Sequence, residues 1–459
     1  MLEGLEVSEV LLSEVLVDNE NKRIDSEYFK KDFLKFFHNV PNLKPLSYFA
    51  KEGYRVVYEN TEIVDTEEGK ANNYPYFLQA TDLETPFIKT DNLFYVNETE
   101  WKRYPKGRIQ KGEILIEVKG KIEKVSIVPD DFPEKTLVSG SLFKLTVNDK
   151  ISKNVFLCYL ISKYGVAFKD RYKTNLLISY VSKPDLYRIP IPDFSKNLQI
   201  EIDKKFELIF EKRKKSQTIY RQAEELLLET IGLKDFKPSQ EKTNIKTFKE
   251  SFLATGRLDA EYYQPKYEDY IDLVKDYRNG FELLQTACNL KDNNFTPEET
   301  KEYQYIELAD IGKSGNVTGC TVAQGNDLPS RARRKINTND VIISSIEGSL
   351  ESCALITDDY DNALCSTGFY VVNSEKVNSE TLLVLFKSEV MQNILKQGCS
   401  GTILTAINKT EFQNIPIPLI DLPTQQQISA LIQESFALRK ESERLLVEAK
   451  DMVEREIER

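Results

Sequence analysis

The sequence RIDSEYFKKDF at residues 23–33 returns in altered form as RLDAEYYQPKY at residues 257–267. Arginine, aspartate, glutamate and tyrosine recur in register, from Arg23 to Arg257, and an aromatic residue follows each tyrosine. A second landmark, Ile-Pro-Ile-Pro, stands at residues 189–192 and again at residues 415–418, at a slightly smaller offset. Two ordered landmarks predict a duplicated chain, and the unequal offsets predict a length change in a loop.

Each repeat holds a mixed region followed by a long helical stretch. The mixed regions carry short runs rich in Ile, Val and aromatic residues, bounded by Gly, Asp, Asn or Pro, as strands are. These runs are YPYFLQATDL, EILIEVKG and KVSIVPDD in the first repeat, and QYIELADI, DVIISSI and CALITDD in the second. Helical stretches, VFLCYLISKYGVAF and TLLVLFKSEVMQNILKQ, follow them. The predicted fold class is therefore α+β.

Both repeats end in an unusually long helix. The first is predicted from about residue 197 to about residue 231, with Gly232 ending it, and the second from about residue 424 onward. At 1.5 Å per residue, each spans roughly 50 Å. Apolar residues recur every three or four positions in a narrow stripe, which is interrupted by Arg213, Ser216, Ser435 and Ser442.

Two interpretations of the long helices remain open. They could be surface helices that each pack on their own domain, or they could pair as an antiparallel coiled coil. The second is favoured by their length, narrow stripe and matching registers. It predicts two globular domains in a pseudo-twofold arrangement, at residues 1–195 and 236–417, separated by spacer helices at residues 196–235 and 418–459.

Composition excludes several classes of protein. The formal net charge of −11 argues against a protein that coats nucleic acid indiscriminately, and it suggests that any DNA affinity is shared with a partner. The single histidine, His38, makes zinc hydrolases and Ser-His-Asp enzymes improbable, so we expect a structural or surface role for it. Six cysteines lie far apart without a CxxC pair, which indicates neither a zinc site nor a disulfide framework.

Other signals of location and chemistry are missing from the sequence. No run approaches the roughly 18 to 20 apolar residues of a membrane span, and the acidic start is unlike a secretory signal. We therefore expect a cytoplasmic protein without a membrane partner. No GxxxxGK[ST] phosphate loop and no amino-methyltransferase tetrapeptide occur, so neither an ATP site nor a methylation site is predicted.

Basic and polar groups supply candidate DNA contacts. Arginine can pair bidentately with guanine, and lysine neutralises phosphate, although on the sequence alone a solvated charged loop explains such residues better. Trp101 lies beside one group and is expected to serve packing. The candidates are Arg331, Arg333, Arg334 and Lys335; Ser400, Thr402, Asn408 and Lys409; Lys102, Arg103, Lys106 and Arg108; and Lys119, Lys121 and Lys124.

The second half carries a resemblance to a known family. It reads PSRARRKINTNDVIISSIEGS, then ALCSTGFYVV, then SGTILTAINKTEFQNIPIPLIDLPTQQQI. This series resembles the target-recognition domain and following helix of type I restriction-modification specificity subunits, over nearly all of residues 257–459. The first half is similar more loosely, through RIDSEYF, KGEILIEVKG, LVSGSLF and IPIP. It has KTNLLISYVSKPDLYRIPIP in place of the SGT…INKT series, as expected of domains that read different bases.

The resemblance implies a non-catalytic subunit that recognises double-stranded DNA for phage defence. Each recognition domain would read one half of a bipartite target, and the helices would set the gap and dock methyltransferase subunits, two in number. S-adenosylmethionine would bind those methyltransferase subunits, and ATP and Mg would bind partner chains that include restriction and translocase subunits. The chain itself would then hold no cofactor and no metal.

Two rival hypotheses belong to other classes. One is a coiled-coil scaffold, or a target-recognition subunit of another phage-defence complex, whose mixed domains bind proteins. The other is an enzyme such as a nuclease, built from scattered acidic residues. A fold alone does not separate these functions, because function depends on the site that a fold carries.

Overall fold

The computed structural model describes residues 9–16, 19, 22–58, 61–89, 93–174, 179–234, 236–241, 243–401 and 405–459. The chain divides into two compact units, residues 1–210 with 442–459, and residues 211–441. Both boundaries fall inside a long helix, so each unit contains a part of both long helices. Helices and sheets occur in both units, which confirms the predicted α+β class.

Helices of the first half are mostly short, apart from the last. Several begin with a side-chain cap; Ser152, for example, accepts the backbone N–H groups of Asn154 and Val155. The helices are α1 (Leu12–Leu16), α2 (Lys31–Asn39), α3 (Leu46–Phe49), α4 (Thr66–Ala71), α5 (Glu98–Arg103), α6 (Lys153–Ile161), α7 (Lys163–Tyr172), α8 (Lys183–Tyr187) and α9 (Lys196–Thr230).

Two four-stranded sheets form the body of the first unit. The strands are β1 (Lys44–Pro45), β2 (Ala50–Arg55), β3 (Ile63–Val64), β4 (Tyr76–Leu78), β5 (Leu83–Glu84), β6 (Phe87–Ile88), β7 (Phe94–Val96), β8 (Ile114–Glu117), β9 (Val125–Ile127), β10 (Thr136–Val138), β11 (Leu142–Val147) and β12 (Pro190–Ile191). One sheet has the order β2-β11-β8-β9 and is antiparallel; the other has the order β10-β4-β7-β3 and pairs β4 with β10 in parallel. Every residue of β8 is buried, three of them apolar, and the fourth, Glu117, accepts the backbone N–H groups of Glu123 and Lys124.

Helices of the second half follow the same plan. They are α10 (Phe252–Thr255), α11 (Pro265–Lys275), α12 (Leu284–Ala287), α13 (Ser379–Lys387), α14 (Glu389–Gln397), α15 (Lys409–Gln413) and α16 (Leu422–Ile457). Residues 380–386 of α13 are all buried, as expected of a helix that is apolar on nearly every side. The corresponding helix of the first unit, α6, buries residues 155–160 in the same way.

The second unit also contains two four-stranded sheets. Its strands are β13 (Phe281–Leu283), β14 (Asn289–Leu290), β15 (Glu302–Ile306), β16 (Thr321–Gln324), β17 (Ala332–Lys335), β18 (Val341–Ser344), β19 (Cys353–Leu355), β20 (Leu364–Ser366), β21 (Phe369–Asn373), β22 (Cys399–Ser400), β23 (Ala406–Ile407) and β24 (Pro416–Pro418). The antiparallel sheet has the order β14-β21-β18-β19, and the mixed sheet has the order β16-β15-β20-β17. Its parallel pair, β15 with β20, matches β4 with β10.

The repeated sequence landmarks make the same bonds in both units. Arg23 pairs with Asp25 and donates to the carbonyls of Arg171 and Lys173, at the end of α7. In the second unit, Arg257 pairs with Asp259 and donates to the carbonyls of Gln397 and Cys399, at the end of α14. Each arginine thus holds the chain where it leaves a helix, and we call this arrangement the arginine clamp.

The Ile-Pro-Ile-Pro segments also repeat their pairing. The first forms β12 against β1, and the second forms β24 against β13, both antiparallel. A glutamine near the start of each long helix, Gln199 or Gln425, accepts the backbone N–H of Ser152 or Asn378 at 2.8 and 2.7 Å. The duplication predicted from sequence is therefore present in the hydrogen bonding.

The long helices agree closely with their predicted limits. Gly232 follows α9 with a φ of 78°, the left-handed backbone that favours glycine at a helix end. In the first unit, Lys205 bonds Glu448 at 2.9 Å and Ser442 donates to the Ile209 carbonyl at 3.0 Å, so the two segments run antiparallel.

The serines that interrupt the apolar stripes lie between the two helices. In the second unit, the hydroxyls of Ser216 and Ser435 are 3.1 Å apart, and each donates to the other residue's backbone carbonyl. Small side chains let the helix backbones approach closely here. The predicted antiparallel pairing is present within each unit.

Further observations concern membrane spans, metal sites, and the histidine and cysteine residues. None of the described helices is both long enough and apolar enough to cross a membrane. Across the described ranges, no group of three or more His, Cys, Asp or Glu side chains is placed to hold a metal ion. His38 is exposed on α2, and all six cysteines are free thiols.

Candidate nucleic-acid interface

The basic segment at residues 331–335 lies on β17, the last strand of its sheet, and on the residue before it. Arg331 is exposed, with its Nη2 atom 3.3 Å from Glu307 Oε2. Arg333 donates to the Ser330 carbonyl at 3.0 Å, and Lys335 Nζ lies 5.9 Å from the centre of the Phe295 ring. Within the described part of the chain, neither Arg333 nor Lys335 forms an ion pair, so both charges are available to a ligand.

The second predicted group surrounds the loop between β22 and α15. Ser400 is exposed and pairs with Ala406 across β22 and β23, while Thr402 lies outside the described residues. Asn408 is the N-cap of α15, since its side-chain oxygen accepts the Glu411 backbone N–H at 3.0 Å. Lys409 forms an ion pair with Asp292. Asn408 thus has a structural role that the sequence interpretation did not anticipate.

Asp292 brings the two groups together. Lys409 and, more weakly, Arg334 hold the pKa of the Asp292 carboxyl below its ordinary value, Lys409 through a hydrogen bond and both through their charges. The register of β17 against β20 shifts between Ala332 and Arg334, so the edge strand is irregular beside this site. Sequence reasoning missed Asp292, because its two partners are distant in the chain and only strand pairing places them together.

The matching basic group of the first unit contains Lys102, Arg103, Lys106 and Arg108. Arg108 pairs with Leu137 in the first unit, and Lys335 pairs with Leu364 in the second. The offset in sequence from Arg108 to Lys335 equals the offset from Leu137 to Leu364. Arg108 therefore occupies the position of Lys335. Its guanidinium lies 4.3 Å from the centre of the Trp101 ring and donates to the Trp101 carbonyl at 2.9 Å. Trp101 therefore packs as expected, and it holds Arg108 more tightly than Phe295 holds Lys335.

The other three members of that group differ in their surroundings. Lys102 is exposed near the end of α5, and Arg103 lies 3.9 Å from Glu100. Lys106 is exposed, with its ammonium 5.6 Å from the centre of the Tyr54 ring. These lysines are free to meet phosphate, whereas Arg103 shares its charge with a neighbouring carboxylate.

The third basic group follows β8. Lys119 and Lys121 are exposed, and Lys124 donates to the Ala80 carbonyl at 3.2 Å. Lys119 pairs with Tyr180, just as Ile346 pairs with Ala406 in the second unit. In each unit, the loop after the central strand thus meets the loop that the arginine clamp holds.

Lys183 is a first-unit residue that sequence reasoning missed. It stands at the start of α8, after the N-cap Ser182, as Lys409 stands at the start of α15, after Asn408. The offset between the two Ile-Pro-Ile-Pro segments aligns these lysines, and this signal could have revealed the match. Lys183 donates to the Gly53 carbonyl at 2.8 Å instead of to a carboxylate.

A cavity of about 500 Å³ opens beside Lys335 and Phe295. Its lining includes Lys301 and Tyr303, and also the acidic residues Glu298, Glu302 and Asp361. Because the charges are mixed, the cavity does not favour an anion, and the exposed lysines and arginines around it remain the better candidates for phosphate contact.

Sequence comparison with protein-family models gives a match in the second half. Residues 281–445 match the model of a family described as the type I restriction modification DNA specificity domain. The type I restriction enzyme EcoDI specificity subunit of Escherichia coli is 27% identical over 111 residues. That alignment covers 24% of this chain and 24% of the relative, so the chain matches about a quarter of that protein's length. Both comparisons name the family that the sequence of the second half resembles.

Two solved structures are also similar to this chain. The type I restriction-modification S subunit from M. genitalium has a TM-score of 0.40 at 13% identity, covering 90% of this chain and 96% of that one. The HsdS subunit from Thermoanaerobacter tengcongensis has a TM-score of 0.27 at 13% identity, covering 91% and 96%.

Proposed function

We propose that this chain, whose residues 281–445 carry a type I restriction modification DNA specificity domain, is a non-catalytic subunit that selects double-stranded DNA sequences for a restriction-modification complex. One observation carries the proposal: the arginine clamp that holds the chain at the end of α14 in the second unit is repeated bond for bond at the end of α7 in the first. A duplicated module suits a target of two half-sites. Each unit would read one of them.

Different side chains at matching positions support a bipartite target with unlike halves. The second unit presents Lys335 on an edge strand, and the first presents Arg108 at the equivalent position. Exposed arginine and lysine can contact phosphates and base edges, while the surrounding sheets hold them in place. The negative net charge of the chain confines such contacts to local surfaces.

We infer that α9 and α16 set the gap between half-sites. Each is uninterrupted, with 35 and 36 residues, and each contributes side chains to the cores of both units. Phe206 and Leu445 belong to the first core, and Leu227 and Ile428 belong to the second. A paired helix of this length is stiff enough to serve as a spacer.

Exposed apolar side chains support the docking of two methyltransferase subunits. Ile24 follows the first clamp arginine and is 85% exposed, and Leu258 follows the second and is 67% exposed. Leu12 and Leu253, on the short helices that precede the clamps, are 74% and 66% exposed. Clusters of exposed apolar residues mark protein interfaces, and a surface that occurs once per module fits one methyltransferase per module.

The remaining activities of the complex would lie in partner chains. Methyltransferase subunits would bind S-adenosylmethionine, and restriction and translocase subunits would use ATP and Mg. Such a complex would act in phage defence in the cytoplasm.

The test is selection from a random DNA library by the full chain assembled with its proposed methyltransferase subunit. We expect two enriched base clusters separated by a constant gap. Enrichment without any sequence preference would eliminate the proposal in favour of a protein-binding scaffold. Methylation or cleavage of DNA by the purified chain alone would instead identify it as an enzyme.

A further inference from the structure

One position carries opposite charges in the two units. In the first unit, Gly53 pairs with Leu145, and Arg55 follows two residues later on the same strand, β2. In the second unit, Leu290 pairs with Val372. Val372 is the equivalent of Leu145, because the two are separated by the same number of residues as Arg108 and Lys335. Two residues beyond Leu290 stands Asp292, so Arg55 and Asp292 occupy equivalent positions.

In the second unit this position lies between the two groups of candidate DNA contacts. Asp292 bonds Lys409, the first residue of α15, and the charge of Arg334 on β17 also acts on it. In the first unit, Arg55 lies 5.9 Å from the ring centre of Tyr180, which pairs with Lys119, and donates Nε to the Gly140 carbonyl at 2.7 Å.

The exposed ends of both side chains remain available. Arg55 is half-buried, and in the described part of the chain its hydrogen bond uses Nε alone, so the two terminal nitrogens of its guanidinium keep their donors. The Asp292 side chain is 31% exposed, and Lys409 occupies one of its two oxygens. The first unit therefore offers donors where the second offers an acceptor whose charge is balanced by lysine.

We propose that Arg55 and Asp292 are specificity-determining residues, with Arg55 donating to the acceptor edge of a base in one half-site and Asp292 accepting from an amino group of a base in the other. This inference rests on the proposed function and deepens it. Arginine matches the two acceptors of guanine, and aspartate accepts from the amino group of cytosine. Lys409 offsets the repulsion between Asp292 and DNA phosphates, because it keeps the local charge near zero.

The experiment compares variants of the full chain, assembled with its methyltransferase, in selection from a random DNA library. The variants are Arg55→Ala, Arg55→Lys, Asp292→Asn and Asp292→Ala, with Lys51→Ala and Asp327→Ala as controls. Lys51 is exposed on the same strand as Arg55, and Asp327 is an exposed acid of the second unit. We expect Arg55→Ala to weaken the preference at one position of one half-site about tenfold, because a bidentate base contact is lost.

Asp292→Asn should weaken one position of the other half-site, since an amide no longer attracts the amino group as a carboxylate does. The unaffected half-site of each variant serves as an internal control for folding, and Arg55→Lys should retain part of the preference. Unchanged base preference in Arg55→Ala and Asp292→Asn would overturn the inference, as would an equal loss on all sequences, which marks phosphate contact. Absence of sequence preference in the wild-type complex would instead reject the proposed function itself.

Discussion

The first and second units share their framework bonds and differ in their exposed charges. Arg23 and Arg257 clamp equivalent loops, and Gln199 and Gln425 accept equivalent backbone N–H groups. These groups are wholly or largely buried, and losing one partner would leave a buried polar group unsatisfied. Framework bonds can therefore be retained through a duplication while the surface changes.

The surface positions held by that framework are unlike in the two units. Arg55 stands where Asp292 stands, and Tyr180 stands where Ala406 stands. These four residues are only partly buried, and substitutions away from the buried core usually change stability by less than about 0.5 kcal/mol, so such positions can vary without unfolding the module. The comparison teaches that surface charge can diverge on a fixed scaffold at little energetic cost.

The largest expected effect comes from lengthening both long helices. This change tests whether the helices set the distance between two modules that each read one half-site. Seven residues inserted after Gln217 in α9 and seven after Gln433 in α16 add about 10 Å, or about three base pairs, and preserve a 3.5-residue seam. We expect the preferred gap to widen by about three base pairs, with affinity for the original gap falling on the order of 10³-fold. Library selection measures both quantities.

The matched control places the same seven residues after Gln240, outside both helices, and should leave the gap unchanged. If the helix insertion altered the half-sites while the gap stayed the same, the spacer hypothesis would be wrong. In that case the two modules would not act as separate readers.

Removing each arginine clamp tests whether the modules share one framework. Arg23→Ala and Arg257→Ala should each destabilise their own unit by about 2 kcal/mol, because charge-assisted hydrogen bonds to two carbonyls are lost. The effect should be larger for Arg23, whose bonds of 2.8 and 3.0 Å are shorter than the 3.3 and 3.0 Å of Arg257. Hydrogen exchange resolved by peptide measures each unit separately, and Lys35→Ala on α2 is the exposed control.

Acidification should weaken both clamps through their aspartates. A hydrogen bond from the arginine lowers the pKa of Asp25 and, likewise, the pKa of Asp259 in the folded chain. A folded-state pKa below the unfolded value of about 3.9 gives stability that is present above that pH and lost as the pH falls through the folded value. Asp25→Asn and Asp259→Asn should remove this part of the acid sensitivity, and an unchanged acid profile would contradict the assignment.

The smallest expected effect is a difference in the salt dependence of DNA affinity between variants of Lys335 and Arg108. Lys335→Ala should reduce the slope of log affinity against log salt by about 0.9, because an exposed lysine without an ion pair neutralises one phosphate. Arg108→Ala should change the slope less, since its guanidinium is stacked on Trp101. Titrations at several salt concentrations test this, with Lys396→Ala on α14 as a control, and equal slopes for both variants would remove the distinction.

Periodic and local features could be predicted from the sequence. The limits of α9 and α16 agree within two residues with the prediction, since amphipathic spacing and Gly232 act locally. The place of Asp292 beside Lys409 and Arg334 could not be predicted, because it depends on strand register between distant segments. The capping role of Asn408 was hidden because asparagine serves both caps and base contacts. The predicted assignment of DNA contacts stays a prediction.

The discontinuous first unit has a consequence for synthesis. Residues 1–210 leave the ribosome long before residues 442–459, yet Leu445, Ala449 and Val453 belong to the same buried cluster as Phe206 and its neighbours. Closing so long a loop is entropically costly and slows folding, because native contacts join residues far apart in sequence. Nascent chains should therefore hold an incomplete first unit until residues 442–459 have been synthesised.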